Sequence, residues 1–161
     1  MEQADWSDSQ WIQAPGGDAP GQYASQMRKV FTLPAGAAAG RATAFVALPG
    51  YGQVFVNGHR VDDPETGTRS LSQYDVRMLY HTYDVTPFLI SGGKNVVAVY
   101  VGLGWFGHPA VPPQATRFPF GPPTLRMVIR VHVDGQQAPV VLATDGTWQQ
   151  TEGPVICERI K

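Results

Sequence analysis

The sequence is poor in charge, in cysteine and in long apolar runs, and each shortage excludes a class of protein. Charged residues make up 16% of the 161 residues, and the formal net charge is -1. A nucleic-acid or anionic-membrane partner requires a surplus of basic residues, so neither partner is expected. The single cysteine, Cys157, excludes a framework of internal disulfides. No apolar run is long enough to span a membrane, and the polar first residues do not form a signal peptide, so localisation stays open.

Turn residues and strand-forming residues are abundant. Hydrophobic residues make up 43% of the chain, which is typical of a globular domain with a substantial core. The 18 glycines and 14 prolines separate short runs rich in valine, threonine and aromatic residues, and no helical period is visible. This pattern predicts an all-β fold, an antiparallel β-sandwich of jelly-roll type. We place an N-terminal lead-in at residues 1–22 and the β-sandwich at residues 23–161.

The most informative stretch is a strand followed by an aromatic, glycine-rich loop. The continuous apolar run Val96–Val101 predicts a central strand that is buried on both faces. Gly102 ends this strand, and the next residues place Trp105 and Phe106 among glycines. A loop of this kind on a rigid sandwich is a position where binding surfaces are commonly built.

Other segments predict the flanking strands and turns. Residues 29–33 and 42–48 predict two strands, and the intervening residues 37–40 predict a loop. The dipeptide Asn57-Gly58 predicts a tight hairpin, because both residues tolerate positive φ.

Residues 124–134 alternate between apolar and polar side chains and predict a strand with one buried face. The opposite face carries Arg126, Arg130 and His132, and we expect it to be largely exposed to solvent. Trp11 and Ile12 predict the start of an edge strand near the N-terminus.

A polar segment after the hairpin offers the only metal-site hypothesis. Asp62 and Asp63 lie close to a third acid, Glu65, and carboxylate oxygens are ligands that calcium prefers. Acid-rich turns are also commonly just solvated, so a structural turn is the alternative. The four histidines are scattered without metal-ligand spacing, and Cys157 has no neighbouring histidine motif, so no catalytic centre is predicted.

Several short motifs follow one another along the chain: 54–61, 80–86, 93–95, 104–106, 145–148 and 153–154. In order and spacing they resemble the N-terminal β-sandwich domain of bacterial-type α-L-rhamnosidases of glycoside hydrolase family 78. The resemblance covers the chain from about Arg28 to its C-terminus. One departure is that Pro64–Ser72 has no aromatic residue, although the family often has one after the hairpin.

The resemblance implies an accessory domain that precedes a catalytic (α/α) barrel in an inverting glycoside hydrolase. We therefore expect the barrel and its catalytic carboxylates to lie outside this chain, in a polypeptide that continues beyond Lys161. In some members of the family, a domain of this kind is a calcium-dependent, rhamnose-binding module. The implied partners are a carbohydrate containing L-rhamnose and the barrel of the same polypeptide.

Two functions follow from these observations, together with a third alternative. In the first, the domain binds carbohydrate: Trp105 or Phe106 stacks on a sugar, and Asn57, Asp84 or His108 binds its hydroxyl groups. In the second, the domain is a structural module that docks on the catalytic barrel and shapes its cleft. The third is an independent lectin-like sandwich.

Overall fold

The computed structural model describes residues 4–13, 24–35, 39–70, 72–107, 121–122 and 124–153. These residues form two antiparallel sheets that pack face to face, which confirms the predicted all-β sandwich. Within this part of the chain, no helix has the length and apolar character needed to cross a membrane.

Strands account for nearly all of the regular structure. Among the described residues, helical geometry is limited to a single 3-10 turn, Thr86–Phe88, and a four-residue helix, α1, Gly104–Gly107. The strands are β1 Ile12–Gln13, β2 Ser25–Thr32, β3 Ala39–Ala47, β4 Gly50–Val56, β5 His59–Arg60, β6 Thr68–Ser70, β7 His81–Asp84, β8 Lys94–Gly102, β9 Thr124–Val133, β10 Val140–Ala143 and β11 Gln149–Glu152.

The two sheets have similar layouts. In the first sheet the order is β7, β3, β9, and both β1 and β10 pair with different stretches of β9. In the second sheet the order is β11, β2, β8, β4, and both β5 and β6 pair with different stretches of β4. Each sheet therefore ends on one side in two short strands that share a single long neighbour.

The core lies between the sheets and is lined by alternate residues of each long strand. On β8, Val97, Val99 and Val101 are buried, whereas Tyr100 on the opposite face is 36% exposed. The strand is central, as predicted, because it lies between β2 and β4. The prediction that both of its faces are buried is wrong, because the other sheet covers only one of them.

The outer face of the first sheet is covered by the N-terminal segment, residues 5–9. Arg126 donates hydrogen bonds of 2.7–2.9 Å to two carbonyls and a serine hydroxyl of this segment. Arg130 forms an ion pair with the aspartate of the segment at 3.0 Å, and Phe45 on the same face is 1% exposed. The prediction of a solvent-exposed face is therefore wrong for both arginines, and among the three predicted residues only His132 is exposed.

Two strands begin earlier than the sequence predicts. The strand predicted from residue 29 starts at Ser25, because it pairs with β8 from Ser25 opposite Val101 onwards. The strand predicted from residue 42 starts at Ala39, with an irregularity in its pairing to β9. The predicted loop is therefore wrong for Ala39 and Gly40, and its first two residues lie outside the described part of the chain.

Candidate functional site

The strand directions give the sandwich two different ends. One end, which we call the turn end, is where β2, β4, β7 and β9 finish, and it carries the described connections 57–58, 85–93 and 134–139. The opposite end, which we call the loop end, is where β3, β6 and β8 finish, and it carries α1 and the described residues 48–49 and 72–80. The last strand also finishes at the loop end, because Glu152 pairs with Ser25 at the start of β2.

The predicted aromatic loop begins with α1, which lies directly on the start of β4 at the loop end. A Cβ atom on Gly104 would lie 2.7 Å from the carbonyl carbon of Gly50, and one on Gly50 would lie 2.6 Å from the Leu103 oxygen. Gly104 and Gly50 also have φ values of 47° and 103°. Only glycine allows this backbone approach and this geometry, so two glycines hold α1 against β4.

The ring of Phe106 contacts Tyr74 from the connection between β6 and β7 and lies close to Gly121. Its centroid lies 5.1 Å from that of Tyr74, and the rings meet edge to face at 87°. A Cβ atom on Gly121 would lie 3.4 Å from Cε1 of the Phe106 ring. Phe106 and Tyr74 are both half-buried, so the pair is part of the surface and is also fixed by packing.

Tyr74 was not identified from the sequence. It stands in a short segment in which no regular period is visible, and only the fold brings it against Phe106. Burial raises the pKa of the Tyr74 phenol, while a backbone hydrogen bond with Gly50 acts in the opposite direction. Tyr74 is therefore a neutral hydroxyl at physiological pH, next to the Phe106 ring.

The candidate sugar-binding residues fall at opposite ends of the sandwich. Trp105 and Phe106 belong to α1 at the loop end, whereas Asn57 and Asp84 lie at the turn end. The side chain of Trp105 and all of His108 lie outside the described residues. Asn57 pairs through its backbone with Val96, and the strand from there to α1 spans about 20 Å at the rise of an extended chain. The structure therefore does not bring Asn57 and Asp84 together with Phe106 in a single pocket.

Asn57 links the hairpin tip to the neighbouring connection. Its φ of 50° and the φ of 83° at Gly58 confirm the predicted turn geometry. Its side-chain amide donates to the Phe88 carbonyl and to Asn95 Oδ1, both at 2.8 Å, and its Oδ1 accepts the Val96 N–H at 2.8 Å. Both donor hydrogens of Asn57 are thus used within the fold, and its role toward sugar stays a prediction.

Asp84 is exposed at the end of β7 and organises the turn that follows. Its Oδ1 accepts the Thr86 N–H at 3.0 Å. Hydrogen bonds from the Thr86 side chain and backbone lower the pKa of the Asp84 carboxyl below its ordinary value. Its assignment to a sugar site is likewise untested.

The two candidate calcium ligands have separate partners. The side chain of Asp62 is 0% exposed, and its Oδ1 accepts hydrogen bonds from Arg60 Nε at 3.0 Å and from a backbone N–H of β4 at 3.2 Å. Asp63 accepts the N–H groups of residues 65 and 66 at 2.8 Å, and these bonds lower its pKa. Among the described residues, no group of three or more histidine, cysteine, aspartate or glutamate side chains could hold a metal ion. The described part of the chain therefore adds no further ligand of these types to the predicted calcium pair.

Comparison with a family model connects this fold to a known class of domains. The model described as the α-L-rhamnosidase N-terminal domain matches residues 37–160. No curated protein sequence matches the chain at a significant level.

Solved α-L-rhamnosidases contain a similar domain. The Aspergillus terreus enzyme is 24% identical with a TM-score of 0.80, and the match covers 96% of this chain and 18% of that one. The enzyme from Dictyoglumus thermophilum is 24% identical with a TM-score of 0.77, and the match covers 96% of this chain and 17% of the enzyme. The Streptomyces avermitilis enzyme, complexed with L-rhamnose, is 26% identical with a TM-score of 0.71. This match covers 85% of this chain and 13% of the enzyme. The chain thus spans less than a fifth of the length of each of these enzymes.

Proposed function

From the premise that the chain belongs to the α-L-rhamnosidase N-terminal domain family, we propose that it is a non-catalytic accessory domain of an α-L-rhamnosidase-like glycoside hydrolase. In this proposal the domain binds a rhamnose-containing glycan at its loop end. The catalytic barrel belongs to another part of the same polypeptide.

The observation that carries the proposal is the aromatic turn held at the loop end. The backbone contact between Gly50 and Gly104 and the packing of Phe106 on Tyr74 fix α1 in position. An aromatic side chain that is already fixed loses little conformational freedom when a ligand stacks on it. Sugar sites combine such apolar surfaces with a few polar groups, and the Phe106 ring lies beside Tyr74, whose ring carries a hydroxyl group.

L-Rhamnose is the first ligand to test. It is a 6-deoxy sugar, so its methyl group and one ring face present apolar surface to an aromatic side chain. The Streptomyces avermitilis relative is complexed with this sugar. Extending that chemistry to this chain is part of the proposal.

The test is calorimetric titration of the chain with L-rhamnose. We expect millimolar or tighter binding, and Phe106→Ala should weaken it by about tenfold, which corresponds to about 1.4 kcal/mol. Tyr100→Ala is the matched control, because this aromatic is exposed on the outer face of the second sheet and its ring packs on Phe55. Trp105→Ala tests the other aromatic residue of the turn.

Two results would contradict the proposal. One is the absence of heat from the unmodified chain at millimolar sugar, and the other is an equal loss of affinity in Tyr100→Ala. A parallel titration with a chelator tests whether binding depends on a cation such as calcium.

A structural role without sugar binding is the second candidate, favoured by the half-burial of Phe106 against Tyr74. In that case Phe106→Ala lowers the melting temperature strongly, while the unmodified chain shows no heat with L-rhamnose. If the ring instead serves the ligand, the substitution lowers affinity more than stability.

A further inference from the structure

The segment 72–80 exposes three large apolar side chains to solvent at the loop end. Val76 is 72% exposed, Tyr80 is 47% exposed and Leu79 is 42% exposed. We call these three residues the loop patch. Large apolar side chains that are grouped and exposed are typical of interaction sites.

The loop patch belongs to an ordered segment. Tyr74 packs on Phe106 at one end of it, and Tyr80 lies 5.6 Å from the ring of Trp6 at the other. Between them, the N–H groups of Val76 and Arg77 donate to the Gln73 carbonyl at 2.8 and 2.9 Å. The segment is therefore held to the domain by ring contacts at both ends, while Val76, Leu79 and part of Tyr80 stay exposed to solvent.

The position of the loop patch indicates what covers it. The last strand ends at Glu152, beside Ser25, at the same end of the sandwich. The second sheet is about 19 Å wide from β11 to β6 at ordinary strand spacing, and β6 leads directly into the segment with the loop patch. Polypeptide that follows this domain therefore begins within reach of the patch. The related enzymes are long enough to provide such a region, because this chain covers only 13–18% of the three compared above.

We propose that the loop patch is the surface on which the catalytic region of the same polypeptide docks. The inference rests on the proposed function, since it requires the accessory role. It adds the location of the contact. Val76, Leu79 and Tyr80 are buried at the junction between the two regions. Phe106 lies at the edge of this junction, because it packs on Tyr74 of the same segment. A bound glycan at the aromatic turn would then lie beside the catalytic region.

The test uses the complete natural polypeptide with a photo-crosslinking amino acid in place of Val76. We expect cross-links to peptides that follow residue 161. The matched control carries the same amino acid in place of Val30, which is 50% exposed on the outer face of the second sheet. This control should give no such cross-links.

Several outcomes overturn the inference. The first is that position 76 cross-links only to residues of this domain or to a second copy of the chain. The second is that position 30, but not position 76, cross-links to the region that follows residue 161. The third is that the natural polypeptide carries no further domain.

A second measurement separates this inference from the proposed function. Val76→Asp combined with Leu79→Asp should split the thermal unfolding of the complete polypeptide into two transitions, while the affinity for L-rhamnose changes less than twofold. An unsplit transition with intact sugar binding refutes the docking surface only. Absence of sugar binding together with the expected cross-links refutes the glycan-binding proposal only.

Discussion

The turn end and the loop end of the sandwich are stabilised by different interactions. At the turn end, the fully buried Asn95 exchanges hydrogen bonds with Asn57, Ile90 and Gly93 over 2.8–3.1 Å. At the loop end, contacts between glycine backbones and aromatic edges leave large apolar side chains exposed. Satisfied buried polar groups make an arrangement specific and costly to change, whereas half-exposed aromatic surfaces remain available to a partner. In the proposed function, stability and binding are therefore assigned to opposite ends of one β-sandwich.

The largest effect on stability is expected at the turn end. Asn95→Ala removes the acceptor of the Ile90 N–H and of the Asn57 amide inside a closed region. Leaving buried donors without acceptors should lower the free energy of unfolding by about 3 kcal/mol. Urea unfolding measures this, with Lys94→Ala as the control, since that neighbour is exposed and should change the value by less than about 0.5 kcal/mol. Similar values for both variants would show that the network contributes little.

A pair of glycine substitutions separates backbone strain from close contact. Gly104→Ala at the loop end combines positive φ with a Cβ atom 2.7 Å from Gly50, whereas Gly135→Ala at the turn end has positive φ and nothing within 4 Å. We expect a loss of about 2 kcal/mol or more for Gly104→Ala and about 1 kcal/mol for Gly135→Ala. Urea unfolding gives both values. If the two losses are equal, the contact between α1 and β4 is not what holds the aromatic turn.

The smallest expected effect is acid sensitivity at the turn end. Hydrogen bonds from Thr86 lower the pKa of Asp84 in the folded state, so its contribution to stability is complete above the unfolded value of about 3.9. That contribution is lost as the pH falls through the lower folded-state pKa. Melting temperatures between about pH 6 and pH 2.5 should therefore fall less steeply for Asp84→Asn than for the unmodified chain. Parallel pH profiles would show that the carboxylate does not stabilise this turn.

Local chemistry was sufficient to predict several elements. The Asn57-Gly58 hairpin follows from the tolerance of two adjacent residues for positive φ, which requires no information from elsewhere in the chain. The alternation along β9 likewise predicts that Leu125 and Met127 face the core, and both are buried. In both cases the structure is determined locally: the turn by the φ preferences of two adjacent residues, and the buried face by the two-residue repeat of a strand.

Burial of the outer faces and the grouping of site residues were decided only by the tertiary structure. Arg126 is covered because it binds Trp6 and Ser9, which lie far from it in the sequence. The two-residue repeat of a strand predicts which side chains share a face of the sheet. It does not predict which distant segment of the chain packs on that face. The same reason explains the candidate site. Asn57 pairs with Val96 near the start of β8, whereas Phe106 follows the end of β8, so this extended strand places the two residues at opposite ends of the sandwich.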